Sequence, residues 1–242
     1  SDKQGWAVFG GTPKGKNQFW SIYENATRSP HEWFLLRLPA SSSGLLPPSE
    51  LSAARAQLSE DQYLQEYECS FEAAILGAFY GTEFRELEQQ GRVTTVSVDP
   101  NLPVHTAWDL GYSDDTTIWF FQVVHGEIRL LDYHSSNGHN VQYYVDVIKD
   151  RKYTYGTHWL PHDARAKTLA SGGKSIIEQI SVKIPLESLK IVPNLSLQDG
   201  IQATRMMLLR SWFDKSCEEG IECLRQYQRE YDEDKKVFRD RP

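Results

Sequence analysis

The chain has 242 residues, of which 40% are hydrophobic and 12% aromatic, and a formal net charge of −7 at pH 7. That length and apolar content allow a sizeable core and fit one large domain or one domain plus a piece, which excludes a disordered segment. The acidic balance argues against a protein coated in positive charge for nucleic acid, but it suits a metal-dependent nuclease whose ligands are carboxylates. No run approaches the roughly 18 apolar residues of a membrane span, and the N-terminal SDKQGWAVFG lacks the regions of a signal peptide, so a cytosolic protein without membrane contact is expected. Cys69, Cys217 and Cys223 are odd in number and form no CxxC, which points to reduced, buried thiols.

Along the chain, WAVFGG (6–11) reads as a short buried strand ending in a TPKGKN turn. Helical spacing follows at Phe19, Ile22, Tyr23 and Ala26, and then HEWFLLRLP (31–39) reads as another strand. ASSSGLLPPS is the best linker candidate. Ser49 is a candidate cap for the next helix, and Ser59 with Gln62 makes a capping box for the helix through Tyr67. From Val104, three β-type runs (VHTAWD, TTIWFFQVV and EIRLLDYH) are separated by the short turns LGYSDD and HG, the pattern of two consecutive hairpins.

A helix with Val141, Val145 and Ile148 on one face comes next, then a strand THWLPHD, the loop ARAKTLASGGK, a helix SIIEQI and a short strand LKIVP. Asp199 reads as the cap of a long helix carrying Ile201, Leu208 and Trp212, on which Met206 and Met207 read as packing residues. A last helical pattern runs through Ile221, Leu224, Gln228 and Tyr231. The order β-β-β-α-β-α-β-α predicts an α/β fold, a mixed sheet with helices on its faces.

VHTAWD ends in Asp109 and THWLPHD ends in Asp163. If the two strands are parallel neighbours, both carboxylates reach one edge of the sheet, where open α/β sheets present ligand sites and where two carboxylates can share a hard cation. Either aspartate alone is equally a turn cap. His158 and His162 alternate with Asp163, which assigns them to the opposite face as core histidines. Arg165, Lys167 and Lys174 follow Asp163 in a loop that either touches a DNA backbone or is simply solvated. GGTPKGKN has P-loop spacing at Gly10, Gly15 and Lys16, but Asn17 replaces the Ser or Thr that should reach Mg²⁺ and Pro13 stiffens the loop, so it is rejected as a phosphate cradle. SGGKS (171–175) reads as a turn before a helix.

Five segments together, GTPKGKNQFW, EYECSFEAAILGAFY, DLGYSDDT, LPHDARAK and DEDKKVFRDRP, resemble the large terminase subunit of tailed bacteriophages. The resemblance implies residues 1–40 as the C-terminal part of a P-loop-type ATPase domain, with Thr12 in its coupling motif. It implies 41–90 as a linker and helical segment, and 91–242 as an RNase H-like nuclease domain truncated before its last helix. It further implies a metal-dependent endonuclease that cuts concatemeric double-stranded DNA. Asp109 would bridge two Mg²⁺ or Mn²⁺ ions, Asp163 would hold one of them, and Asp115 would be an auxiliary acidic residue. Hard oxygen donors at fixed spacing suit such cations.

The third carboxylate of the family follows the DEDKKVFRDRP-like segment; Asp240 is too early for that role, so the second metal is expected to bind weakly. The Walker motifs lie upstream in the family, so no ATPase activity is expected. The small terminase subunit and the portal protein are the implied partners, and the host cytoplasm the implied location. The alternatives are a non-catalytic RNase H-like module that binds DNA or protein, and a resolvase- or transposase-like nuclease.

Overall fold

In a computed structural model, the structure describes residues 5–15, 17–71, 77–111, 114–167, 173–232, 237–239 and 242. The chain forms two compact units, one made of Ser1–Thr82 with Leu224–Pro242 and the other of Glu83–Cys223.

In the first unit, α1 (Gln18–Arg28) starts at Asn17, whose side chain accepts from the backbone N–H groups of Phe19 and Trp20. Its apolar face carries Phe19, Trp20 and Tyr23 against Phe71, with ring centroids 4.8 to 6.1 Å apart. The expected linker holds a short helix, α2 (Ala40–Ser43), which stops at Gly44. In α3 (Pro48–Gln57) the flanking residue is Pro47 and Pro48 opens the helix, so Ser49 is not its cap. In α4 (Glu60–Glu66) Ser59 and Gln62 form the expected capping box. A two-stranded ribbon of β8 (Tyr231–Asp232) and β9 (Val237–Phe238) lies near the C-terminus.

Two expected strands are absent from this unit. Residues 6–11 and 33–39 are irregular and find no ladder partner among the described residues. Trp6 is 88% exposed and Phe34 89%, so the apolar composition that reads as a buried strand belongs instead to an open surface. The two segments line a groove of about 640 Å³ with Phe19, Tyr23 and Phe71.

The second unit is built on a seven-stranded sheet. Its strands are β1 (Val93–Thr94), β2 (Val104–Asp109), β3 (Thr116–Val124), β4 (Glu127–Ser136), β5 (Tyr155–Leu160), β6 (Leu189–Ile191) and β7 (Ser211–Asp214), in the order β1-β7-β4-β3-β2-β5-β6. Only β3 runs against the others, because β2/β3 and β3/β4 are antiparallel whereas β2/β5, β5/β6, β4/β7 and β1/β7 are parallel. The five strands from β4 to β6 thus read third, second, first, fourth and fifth in chain order, with the second reversed, which is the RNase H-like arrangement.

Strict alternation in β2 and β3 sends one set of side chains to each face. Val104, Trp108, Ile118, Phe120 and Leu160 meet Tyr144, Val145 and Ile148 of α6 (Val141–Asp150) and Ile180 of α7 (Ile176–Ile180) in the main core. Full burial of such a side chain stabilises by about 1.5–3 kcal/mol. On the other face Trp119 packs on Tyr133 and Phe213, and Phe213 on Phe84 of α5 (Gly81–Gln89).

Three further expectations change here. The long helix, α8 (Leu197–Leu208), is capped by Ser196 rather than Asp199, and it ends before Trp212. Trp212 lies on β7, whose parallel pairing with β4 and β1 outweighs a local spacing that looks helical. The last helix, α9 (Glu218–Gln226), stops short of Gln228 and Tyr231. Within α9, Gly220 presses on the sheet so closely that a Cβ there would stand 2.5 Å from Trp119 and 2.7 Å from Tyr133. Gly220→Ala is therefore expected to destabilise this unit by about 1–3 kcal/mol, as overpacking does; an unchanged urea midpoint would contradict this packing.

Candidate functional site

β2 buries alternate residues and then ends in the exposed Asp109. The register pairs Asp109 with Thr117 of β3 and Thr117 with Ser135 of β4, so three polar side chains make a row on one face. Directly opposed residues have Cβ atoms about 4.5–5.5 Å apart, which puts Asp109 and Ser135 about 10 Å from each other.

Asp115 immediately precedes β3 and bends over the end of this row. One carboxylate oxygen accepts from the Ser135 hydroxyl at 3.0 Å and the other from the Asn137 side-chain amide at 2.8 Å. The turn that carries Asp115 is tight: a Cβ on Gly111 would stand 2.6 Å from the Asp114 carbonyl oxygen. The Thr116 hydroxyl closes the turn by donating to the Gly111 carbonyl at 2.6 Å and accepting from its N–H at 3.1 Å.

Asp163 reaches the same edge by a different route from the one the sequence pattern implies. Ala107 of β2 pairs with Trp159 of β5, so Pro161 stands level with Asp109. Proline cannot continue the ladder. The chain leaves the strand at Leu160 and turns through a 3-10 helix over His162–Arg165, anchored by the fully buried Ala164. Asp163 lies in that turn, not on the strand. His162 is correspondingly exposed and out of alternation, while His158 is a buried core histidine as expected.

Among the described residues, no donor hydrogen-bonds the side chain of Asp109 or Asp163, and both are exposed. Their oxygens are hard donors of the kind Mg²⁺ and Mn²⁺ accept, and Mg²⁺ commonly takes only one or two carboxylates and keeps its waters. The donor chemistry therefore fits such a cation. Among the described residues, no group of three His, Cys, Asp or Glu side chains could hold a metal ion.

A buried relay, not anticipated from the sequence, fastens the two strands that lead to this edge. The Trp108 indole N–H donates to the Thr106 hydroxyl at 2.8 Å, and Thr106 stands 2.8 Å from His158 Nδ1. Because Thr106 accepts from Trp108, its own proton goes to His158, which must be neutral with Nδ1 as acceptor. Burial, reinforced by the nearby His105, pushes the His158 pKa down to about 4. On the row's face, burial and then the neighbouring Cys223 thiol push the Tyr133 hydroxyl up to about 12.

Of the expected basic residues, Arg165 ends the 3-10 turn and is exposed. Lys167 is 3.6 Å from Glu178 and bridges to Ser175, which closes the loop; Lys174 is also exposed. Thr12 is exposed in an irregular segment with no strand before it. Lys16, Ser171 and Asp240 lie outside the described residues, as does 72–76 of the EYECSFEAAILGAFY segment.

No protein-family model matches the sequence, and no curated protein matches it. Among solved structures, the chain is similar to large terminases and their nuclease domains. With the intact large terminase of a thermophilic bacteriophage it shares 13% identity and a TM-score of 0.47, covering 90% of this chain and 54% of that one. With the P22 large terminase nuclease domain it shares 17% identity, 58% and 76% coverage and a TM-score of 0.45. With the large terminase nuclease of thermophilic phage G20c with bound magnesium the values are 10%, 66%, 85% and 0.44; that nuclease has also been solved with cobalt and with zinc. The chain spans about half the length of the intact terminase it matches.

The relay carries a pH signature. His158 stays neutral in the fold down to about pH 4, whereas the unfolded side chain takes up a proton near pH 6.5. The unfolded state then binds more protons, so stability falls as pH drops from about 6.5 toward 4. Urea unfolding at several pH values should show this slope, and His158→Gln should flatten it. An equal slope in the variant would contradict the buried neutral histidine.

Proposed function

We propose that this chain carries the nuclease part of a phage DNA-packaging enzyme, an endonuclease of the large terminase type that cuts concatemeric double-stranded DNA. The observation that carries the reading is the presence of two exposed carboxylates, Asp109 and Asp163, where two adjacent parallel strands of an RNase H-like sheet come to an end. Neither carboxylate accepts a hydrogen bond from a described residue. Bound divalent cations supply charge that neutralises the phosphodiester and lowers the pKa of an attacking water. Asp109, at the end of a strand laddered on both sides, holds its oxygens at a fixed position; Asp163, on the anchored 3-10 turn, contributes oxygens from the neighbouring strand end. Asp115 adds negative charge beside them. Arg165, Lys167 and Lys174 meet the DNA backbone through its phosphates, without sequence preference.

In the same reading residues 1–40 are the end of an ATPase domain, with Thr12 in its coupling segment, 41–90 are the linker and helical segment, and 91–242 are the nuclease domain. Mg²⁺ or Mn²⁺ is the cofactor, and the small terminase subunit and portal protein are the assembly partners in the host cytoplasm. Among the described residues, no helix is long and apolar enough to cross a membrane. A second reading, a non-catalytic DNA- or protein-binding module of the same fold, is favoured by the lack of a three-residue ligand group among the described residues.

Plasmid nicking separates the two. The nuclease reading predicts cleavage with Mn²⁺ or Mg²⁺, none with EDTA, and loss to background in Asp109→Asn, with a smaller loss in Asp163→Asn. Metal-independent behaviour, or full activity in Asp109→Asn, would leave only the binding module. Replacing Arg165, Lys167 and Lys174 together by alanine should weaken DNA affinity and lower its salt dependence, which filter binding across a salt series would detect; unchanged affinity and slope would mean that the loop is merely solvated.

A further inference from the structure

We propose that Ser135 and Asn137 are positioning residues for Asp115, which they pin beside the Asp109–Asp163 cation site as an outer carboxylate and keep from acting as a direct ligand. The inference rests on the cation-site reading above. Three observations lead to it.

The first is the contrast between the three aspartates. Asp109 and Asp163 have no hydrogen-bond donor among the described residues, whereas both oxygens of Asp115 are engaged, by the Ser135 hydroxyl at 3.0 Å and the Asn137 amide at 2.8 Å. Two directed bonds to the two oxygens fix the plane of a carboxylate, which a single bond would leave free to rotate. The second is where the donors come from. Ser135 belongs to β4 and Asn137 follows two residues later, so both project from the end of one laddered strand toward one face. The third is the register. Ser135 stands in the same row as Thr117 and Asp109, so Asp115 is tied to the far end of a row whose near end is the proposed ligand, about 10 Å away.

A charge held at that distance strengthens cation binding through the field without occupying a coordination position. Outer partners of metal sites are typically worth about 10-fold to 100-fold in metal affinity. The lower end fits here, because the site is exposed and the separation is close to the screening length of physiological salt.

The test is calorimetric titration of the intact 242-residue chain with Mn²⁺ alone. Variants would be Asp115→Asn, Ser135→Ala with Asn137→Ala, all three substitutions together, and the conservative Ser135→Thr. We expect Asp115→Asn to weaken Mn²⁺ binding about 10-fold and the Ser135/Asn137 pair to weaken it less. The triple variant should match Asp115→Asn, and Ser135→Thr should keep wild-type affinity. The difference between wild type and Asp115→Asn should shrink as salt rises. Residues that merely support the fold would not produce the match between the triple variant and Asp115→Asn. Wild-type affinity in the Ser135/Asn137 pair, or effects that add in the triple variant, would overturn the proposal. Absence of Mn²⁺ binding in the wild type would overturn the cation-site reading itself, and the proposal with it.

Discussion

The second compact unit depends on one strand being laddered on both sides. β2 pairs antiparallel with β3 and parallel with β5, so its six residues are held from two directions and its end cannot shift without breaking both ladders. The buried relay through Trp108, Thr106 and His158 adds a side-chain tie across the β2/β5 pair where no water competes for the bonds. Everything proposed for the carboxylate edge follows from this: Asp109 sits where β2 stops, Thr117 lies opposite it on β3, and Asp163 lies just past the end of β5.

How far this was legible in the sequence varied with the range of the forces involved. β2 and β3 have the bounds their alternation predicts, because a strand covered on both faces by helices shows a clear apolar period. The mixed order of strands and helices predicted the sheet's layout, and the 3-2-1-4-5 order then emerged from it. What could not be read was pairing at a distance. β7 looks like a continuation of α8 until β4 and β1 supply its ladders. The opposite error occurred at 6–11 and 33–39, where strand-like composition met no partner strand among the described residues.

The site was legible in outline and not in detail. The two carboxylates were visible as aspartates closing apolar runs, but Pro161 takes Asp163 off the strand into a 3-10 turn. Ser135 and Asn137 gave no signal of their own, since small polar residues after a strand are the ordinary vocabulary of turns. Their relation to Asp115 depends on the β3/β4 register, which only the folded sheet supplies. The electrostatics are equally positional. The unit keeps its engaged polar groups, Thr106 and His158, inside the sheet, and leaves at the edge the carboxylates that no described residue satisfies.

The central claim, that Asp109 and Asp163 together form a divalent-cation site, is tested most directly by a crystal structure of this chain soaked in Mn²⁺ with anomalous diffraction. The account predicts an anomalous peak within coordination distance of carboxylate oxygens from both residues, with Asp115 outside the coordination sphere and still bonded to Ser135 and Asn137. A well-ordered edge with no peak there, or a peak coordinated by Asp115 in place of Asp163, would contradict it.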